Sequence, residues 1–171
     1  MNNKRFDQNL KEKYDPIGKK LSIEIMCDVL NAKFITKNEE EDNGTFGDGF
    51  WDLKFLLKNK NIITVEAEMK DEKWWGTSYG FPPFKYKDID IPFRKIKNKA
   101  ELHIVISTCQ NFAFMVLRKH MDQEFASRGK PHIKPVRVPG STKYGREPFF
   151  RTSVKKGKFV HRYQDNIWRF C

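Results

Sequence analysis

The stretch that most restricts what this chain can become is Ile62-Ile63-Thr64-Val65-Glu66-Ala67-Glu68-Met69-Lys70. Apolar and polar residues alternate through it, and successive side chains of a strand point to opposite faces, so the run reads as a half-buried β-strand. Ile63, Val65, Ala67 and Met69 form a row that other elements must cover. Thr64, Glu66, Glu68 and Lys70 form the other row. Two carboxylates and an ammonium on one face are groups able to hold a divalent cation beside a phosphate. The plainer use of such a row is a solvated face of alternating charge.

The preceding residues sharpen this reading. Asp52-Leu53-Lys54-Phe55-Leu56-Leu57 has the character of a strand and Asn59-Lys60-Asn61 supplies turn residues, so the two runs should form a β-hairpin. A turn centred on Lys60 places Asp52 opposite Glu68 and Lys54 opposite Glu66. Like charges opposite one another repel, so an Asp52/Glu68 pair calls for a compensating cation, either a metal or a protein base. Gly47-Asp48-Gly49 offers another acid, Asp48, but the same register carries it past Glu68. The run Glu39-Glu40-Glu41-Asp42 reads as a solvated loop, too poorly preorganised to hold an ion.

The length of 171 residues suits one domain, residues 1–171, and 15 Phe with 4 Trp supply a core despite a mean hydropathy of -0.72. No apolar run approaches bilayer length, and Met-Asn-Asn-Lys-Arg leads into polar residues, so the expectation is a soluble, cytoplasmic protein with no membrane partner. Cys27, Cys109 and Cys171 lack paired spacing and the four His are scattered, which indicates neither a disulfide framework nor a zinc site. Charge is unevenly placed. Residues 1–117 hold 19 Lys/Arg against 18 Asp/Glu, whereas residues 118–171 hold 14 against 4. A basic final third points to a polyanionic partner, nucleic acid rather than membrane because no amphipathic basic helix stands out; solubility alone is the bland alternative.

Taken in order, residues 1–14 are a polar lead-in or short helix. Asp15 as N-cap and Pro16 at the first helical position open a helix to Asn31, whose apolar residues cover most of its circumference and predict burial. On its polar stripe, Glu24 either pairs with Lys20 one turn earlier or leans toward a metal site. Ala32–Lys37 reads as a strand. Asp71–Asn98 is rich in aromatic residues and broken by Gly and Pro, a long loop suited to covering the sheet or stacking on bases. Arg94, Lys95, Lys97 and Lys99 close it with cations suited to phosphates. Glu101–Ser107 and Phe112–Leu117 read as antiparallel neighbours, with His103 a structural histidine. Arg118 to Gly145 is a basic connection, and Pro148–Val154 with Lys158–Tyr163 bracket Lys155-Lys156-Gly157 as a late hairpin.

A hairpin with Asp near the start of one strand and Glu-x-Lys at the end of the next, here Asp52 with Glu68-Met69-Lys70, resembles the PD-(D/E)XK nuclease superfamily. The order of helix, strand, hairpin and later strands over residues 15–118 is also similar to that core. Trp51 stands where the pattern has Pro, and no crossover helix is evident in Asp71–Asn98. The resemblance implies an α/β (α+β) restriction-endonuclease-like fold: a mixed central sheet, a buried N-terminal helix and the acidic hairpin. It implies magnesium-dependent cleavage of DNA, with manganese able to substitute, catalytic Asp52, Glu68 and Lys70, and metal held by Asp52, Glu68 and Glu66. Arg94, Lys95, Lys97, Arg118, Lys119, Arg146 and Arg151 are the candidate nucleic-acid contacts. RNA as substrate, a homodimer, and a non-catalytic nucleic-acid-binding protein on the same fold stay open as alternatives.

Overall fold

The computed structural model describes residues 3–37, 51–70, 88–92, 100–121 and 149–171. A long helix, α1 (Asn3–Leu30), is followed by β1 (Lys33–Lys37), β2 (Leu53–Leu56), β3 (Ile62–Lys70), β4 (Asp88–Pro92), β5 (Leu102–Ser107), β6 (Phe112–Leu117), β7 (Phe149–Ser153), β8 (Lys158–Arg162) and β9 (Trp168–Phe170). The class is mixed α+β. Seven strands form one sheet in the order β1-β2-β3-β5-β6-β8-β9, and β4 pairs with β7 in a separate two-stranded sheet. β3 and β5 run parallel, with Glu66 beside His103 and Lys70 beside Ser107, and the sheet's other neighbours are antiparallel.

The sheet has two unlike faces. On the first, Leu21, Ile25 and Met26 of α1 pack against Leu53, Phe55, Val65, Ile104, Ile106, Met115 and Trp168. Burying a side chain of this size stabilises by about 1.5–3 kcal/mol, so this interface dominates the fold. Gly18 lets α1 approach β3 closely, because a Cβ there would lie 3.1 Å from Met69 Cγ. On the second face Val105, Phe114 and Val116 meet Ile89 of β4 and Met121, which ends a helical turn at residues 118–121. Among the described residues no helix is long and apolar enough to cross a membrane.

Several expectations are corrected. The helix does not begin at Asp15: it starts at Asn3 and runs through Pro16. Pro16 forfeits one backbone hydrogen bond, and the apolar stripe from Ile17 to Met26 packed on the sheet outweighs that loss. Asp15 instead lies 3.6 Å from Lys19, one turn on. The helix ends on Asn31 in the left-handed region, φ 50°, and the Ala32 amide returns to the Met26 carbonyl at 3.1 Å.

The late hairpin is not one. Both strands exist, but β7 pairs with β4 and β8 with β6. A 3₁₀ turn, Val154–Lys156, capped by the Ser153 hydroxyl, separates them. Gly157 then crosses so close to β6 that a Cβ would meet Phe114 Cζ at 2.3 Å and the Met115 carbonyl at 2.4 Å. β4 lies inside the stretch expected to be loop, and β9 extends the sheet beyond the expected strands.

Candidate active site

β2 and β3 are joined by a three-residue loop. The Lys60 amide donates to the Leu57 carbonyl at 2.9 Å and the Leu57 amide to the Asn61 carbonyl at 2.8 Å, while Lys60 takes φ 67°. The loop is therefore centred on Asn59, with Lys60 rather than a glycine in the left-handed position. This moves the register by two residues from the expected one. Leu53 faces Val65 and Lys54 faces Thr64, so Asp52 lies beside residues 65–67 and not opposite Glu68, and Lys54 is not opposite Glu66.

Asp52 stands where β2 leaves the ladder. Its amide donates to the Val65 carbonyl at 2.9 Å, and its carboxylate Oδ2 accepts from the Ala67 amide at 2.6 Å. The carboxylate thus occupies a β3 donor that the strand's backbone has ceased to serve. Oδ1 lies 3.9 Å from Lys19 Nζ on α1, a charge contact longer than a hydrogen bond. Asp52 is 2% exposed and Glu66 4%. Acidic residues are rarely so buried unless a cation or hydrogen bonds accompany them. Glu68 and Lys70 follow on the Glu66 face and are half-buried. His103, beside Glu66 in the β5 register, is also buried.

The remaining candidates are dispersed. Glu24 neither pairs with Lys20 nor approaches the hairpin: its carboxylate lies 3.3 Å from the Arg162 guanidinium, because α1 carries that side chain over β8. Arg118 and Lys119 open the helical turn after β6, half-buried and exposed respectively. Arg151 is on β7, opposite Asp90 in the register. Asp48, the Glu39–Asp42 run, Arg94, Lys95, Lys97, Lys99, Arg146 and the aromatic residues of 71–87 lie outside the described residues. Sequence reading missed Lys19, whose spacing of four from Asp15 signals only a local pair.

Two carboxylates from adjacent strands are hard oxygen donors of the kind magnesium accepts, since that ion is held by one or two carboxylates and keeps several waters. Among the described residues no group of three or more His, Cys, Asp or Glu side chains is disposed to share an ion. No family model matches this chain, and comparison with curated proteins and with solved structures finds no match.

Proposed function

We propose that this chain is a metal-dependent nuclease that hydrolyses phosphodiester bonds of DNA on a restriction-endonuclease-like core. One observation carries the reading: the β2–β3 hairpin buries two acids, Asp52 at the end of β2 and Glu66 on the row that continues to Glu68 and Lys70. Burying acids seldom serves stability, since desolvating them costs several kcal/mol each, which favours a functional use. The order of elements supports it as well. A helix, a strand and the acidic hairpin precede a strand parallel to β3, and a parallel neighbour requires a crossover through residues 71–101, which the resemblance also calls for.

Of Asp52, Glu66 and Glu68, one or two would hold magnesium or manganese, with water or substrate oxygens completing the shell. Bound there, the ion supplies Lewis acidity and a water of lowered pKa. Lys70 holds its ammonium toward the same face as Glu68, where it steadies the charge that develops on the phosphate or orients the attacking water. The Ala67 amide and Lys19 fix Asp52 in one rotamer, which preorganises the acid before substrate arrives. Arg118, Lys119 and Arg151, with the basic final third, retain the DNA through its phosphates.

A non-catalytic DNA-binding protein is the second reading. The engagement of Asp52 by Lys19 and the Ala67 amide favours it, because these contacts give the acid a structural use. Labelled DNA titrated with magnesium or manganese separates the two. Glu68→Ala and Lys70→Ala are expected to retain binding and to lose cleavage by roughly 100-fold or more. Wild-type protein that binds DNA but cleaves it with neither ion would leave only the second reading.

A further inference from the structure

The second face of the sheet carries an array that the hydrolytic chemistry does not use. Phe112 on β6 and His161 on β8 are register partners whose rings stack at 4.6 Å between centroids, 13° from parallel. His161 meets Tyr163 at 4.9 Å and 56°. Arg169 on β9, opposite His161, lays its guanidinium over the Tyr163 ring at 4.9 Å, and Asp165 holds that guanidinium through both terminal nitrogens. Tyr163 is 40% exposed and Arg169 is exposed, with Phe112 and His161 half-buried. Phe112 rests on the buried cluster of this face, and from it the array opens outward as an ordered, partly exposed tier.

Its position in the register gives it direction. Lys70 is beside Ser107, and the next step of the β5–β6 ladder after Ile106 and Ala113 sets Ser107 beside Phe112. One row therefore crosses five neighbouring strands, Lys70, Ser107, Phe112, His161 and Arg169, with Ser107 buried and the Phe112 to Arg169 end open. At about 4.8 Å per strand it spans ~19 Å, the length of roughly five or six stacked nucleotides of one strand.

We propose that the Phe112–His161–Tyr163–Arg169 tier binds an unpaired DNA strand by stacking on its bases. The DNA occupant rests on the hydrolase reading above. Aromatic side chains on a basic surface are how proteins hold single strands irrespective of sequence, because every base has a π-face whereas a duplex hides it. The charge is complementary: residues 154–171 hold five Lys/Arg against Asp165 alone, and Lys155 and Lys156 are exposed in the turn before β8. Asp165 keeps Arg169 over Tyr163, so little side-chain freedom remains to be lost on binding.

Fluorescence anisotropy with a labelled 12-nucleotide strand and a 12-base-pair duplex, in EDTA so that cleavage plays no part, tests the proposal. Tyr163→Ala and His161→Ala should weaken the single strand by roughly 5- to 100-fold and the duplex by less than about 2-fold, with Tyr163→Phe close to wild type. Circular dichroism of each variant checks that the fold is intact. Equal binding by Tyr163→Ala and wild type overturns the tier, as does a loss confined to low salt, which would be ionic attraction only. An RNA strand held more tightly than the DNA overturns the DNA assignment. Failure of the hydrolase reading is visible separately: single-strand binding that depends on Tyr163 in a protein that never cleaves sinks catalysis and leaves the tier standing.

Discussion

The β2–β3 and β8–β9 hairpins are closed alike. Each has a three-residue loop whose last residue takes positive φ, Lys60 at 67° and Asn166 at 61°, and in each the residue before the loop accepts from that amide, Leu57 from Lys60 and Tyr163 from Asn166, both at 2.9 Å. What they do with charge differs. The first buries Asp52 and Glu66, whereas the second exposes Tyr163, Asp165 and Arg169. Helix α1 serves both with opposite sign, sending Lys19 toward Asp52 and Glu24 toward Arg162, with Asp28 accepting from the Trp168 amide at 3.0 Å. The same local turn thus yields a buried acid where the sheet is covered and an exposed ring and ion pair where it is open. Burial makes the difference, since a charge contact weak in water strengthens as solvent is withdrawn.

The comparison breaks most visibly at the apolar residues. Phe55 on β2 is 0% exposed and Phe170 on β9 is 46% exposed. Phe55→Ala should therefore cost about 3–5 kcal/mol in urea unfolding, and Phe170→Ala a small fraction of that. Comparable losses would mean that the second hairpin is as deeply built into the core as the first. Gly157→Ala tests the crossing into β8: with Phe114 Cζ and the Met115 carbonyl in the way, about 1–3 kcal/mol of overpacking is expected. A neutral result would show that β8 can stand off from β6.

The acids give the next contrast. Asp52→Ala strands the buried Ala67 amide, a loss of about 1–3 kcal/mol. Asp52→Asn keeps an acceptor and should lose less. Asp165→Ala removes a bidentate pair with Arg169 that lies in water, and should leave the unfolding midpoint almost in place. If the Asp165 change proves the larger, the buried carboxylate is not what organises the first hairpin.

How far the sequence could be read follows the same division between local and distant. β3, β5 and β6 are legible because alternation or continuous β-branched and aromatic residues mark them, and because β5 and β6 are joined by four residues. The β2–β3 pairing was legible as a hairpin, but not its register, because Lys60 takes a conformation usually left to Asn or Gly. Val154–Lys158 looks like a hairpin turn by composition, yet β7 finds its partner in β4 and β8 in β6. Such pairings depend on residues 43 to 65 positions away, which no local pattern records. At the site, the acids were legible as one face of β3. Lys19 was not, since only the packing of α1 on the sheet brings it to Asp52.

The smallest expected effect concerns pH and is confined to the second hairpin. Arg169 beside Asp165, with the Ile167 amide, holds that carboxyl below its ordinary value of 3.8. A carboxyl lowered on folding stabilises the folded state above its unfolded value, and the contribution is lost as pH falls through the folded one. At the alkaline end the sign reverses in cause but not in outcome. Burial pushes the Cys171 thiol from 9.0 up to about 11, so the folded state keeps a proton the unfolded chain releases, and stability falls as pH rises between those values. Cys171 follows β9, and its amide donates to the Phe159 carbonyl at 3.0 Å. The β8–β9 hairpin should therefore loosen in acid and in alkali, as amide exchange at Ile167 and Cys171 would report. Asp165→Asn should abolish the acid limb alone, and 1 M salt should shrink it because the pair is exposed. An acid limb indifferent to both would place its cause elsewhere and leave Arg169 with no fixed hold over Tyr163.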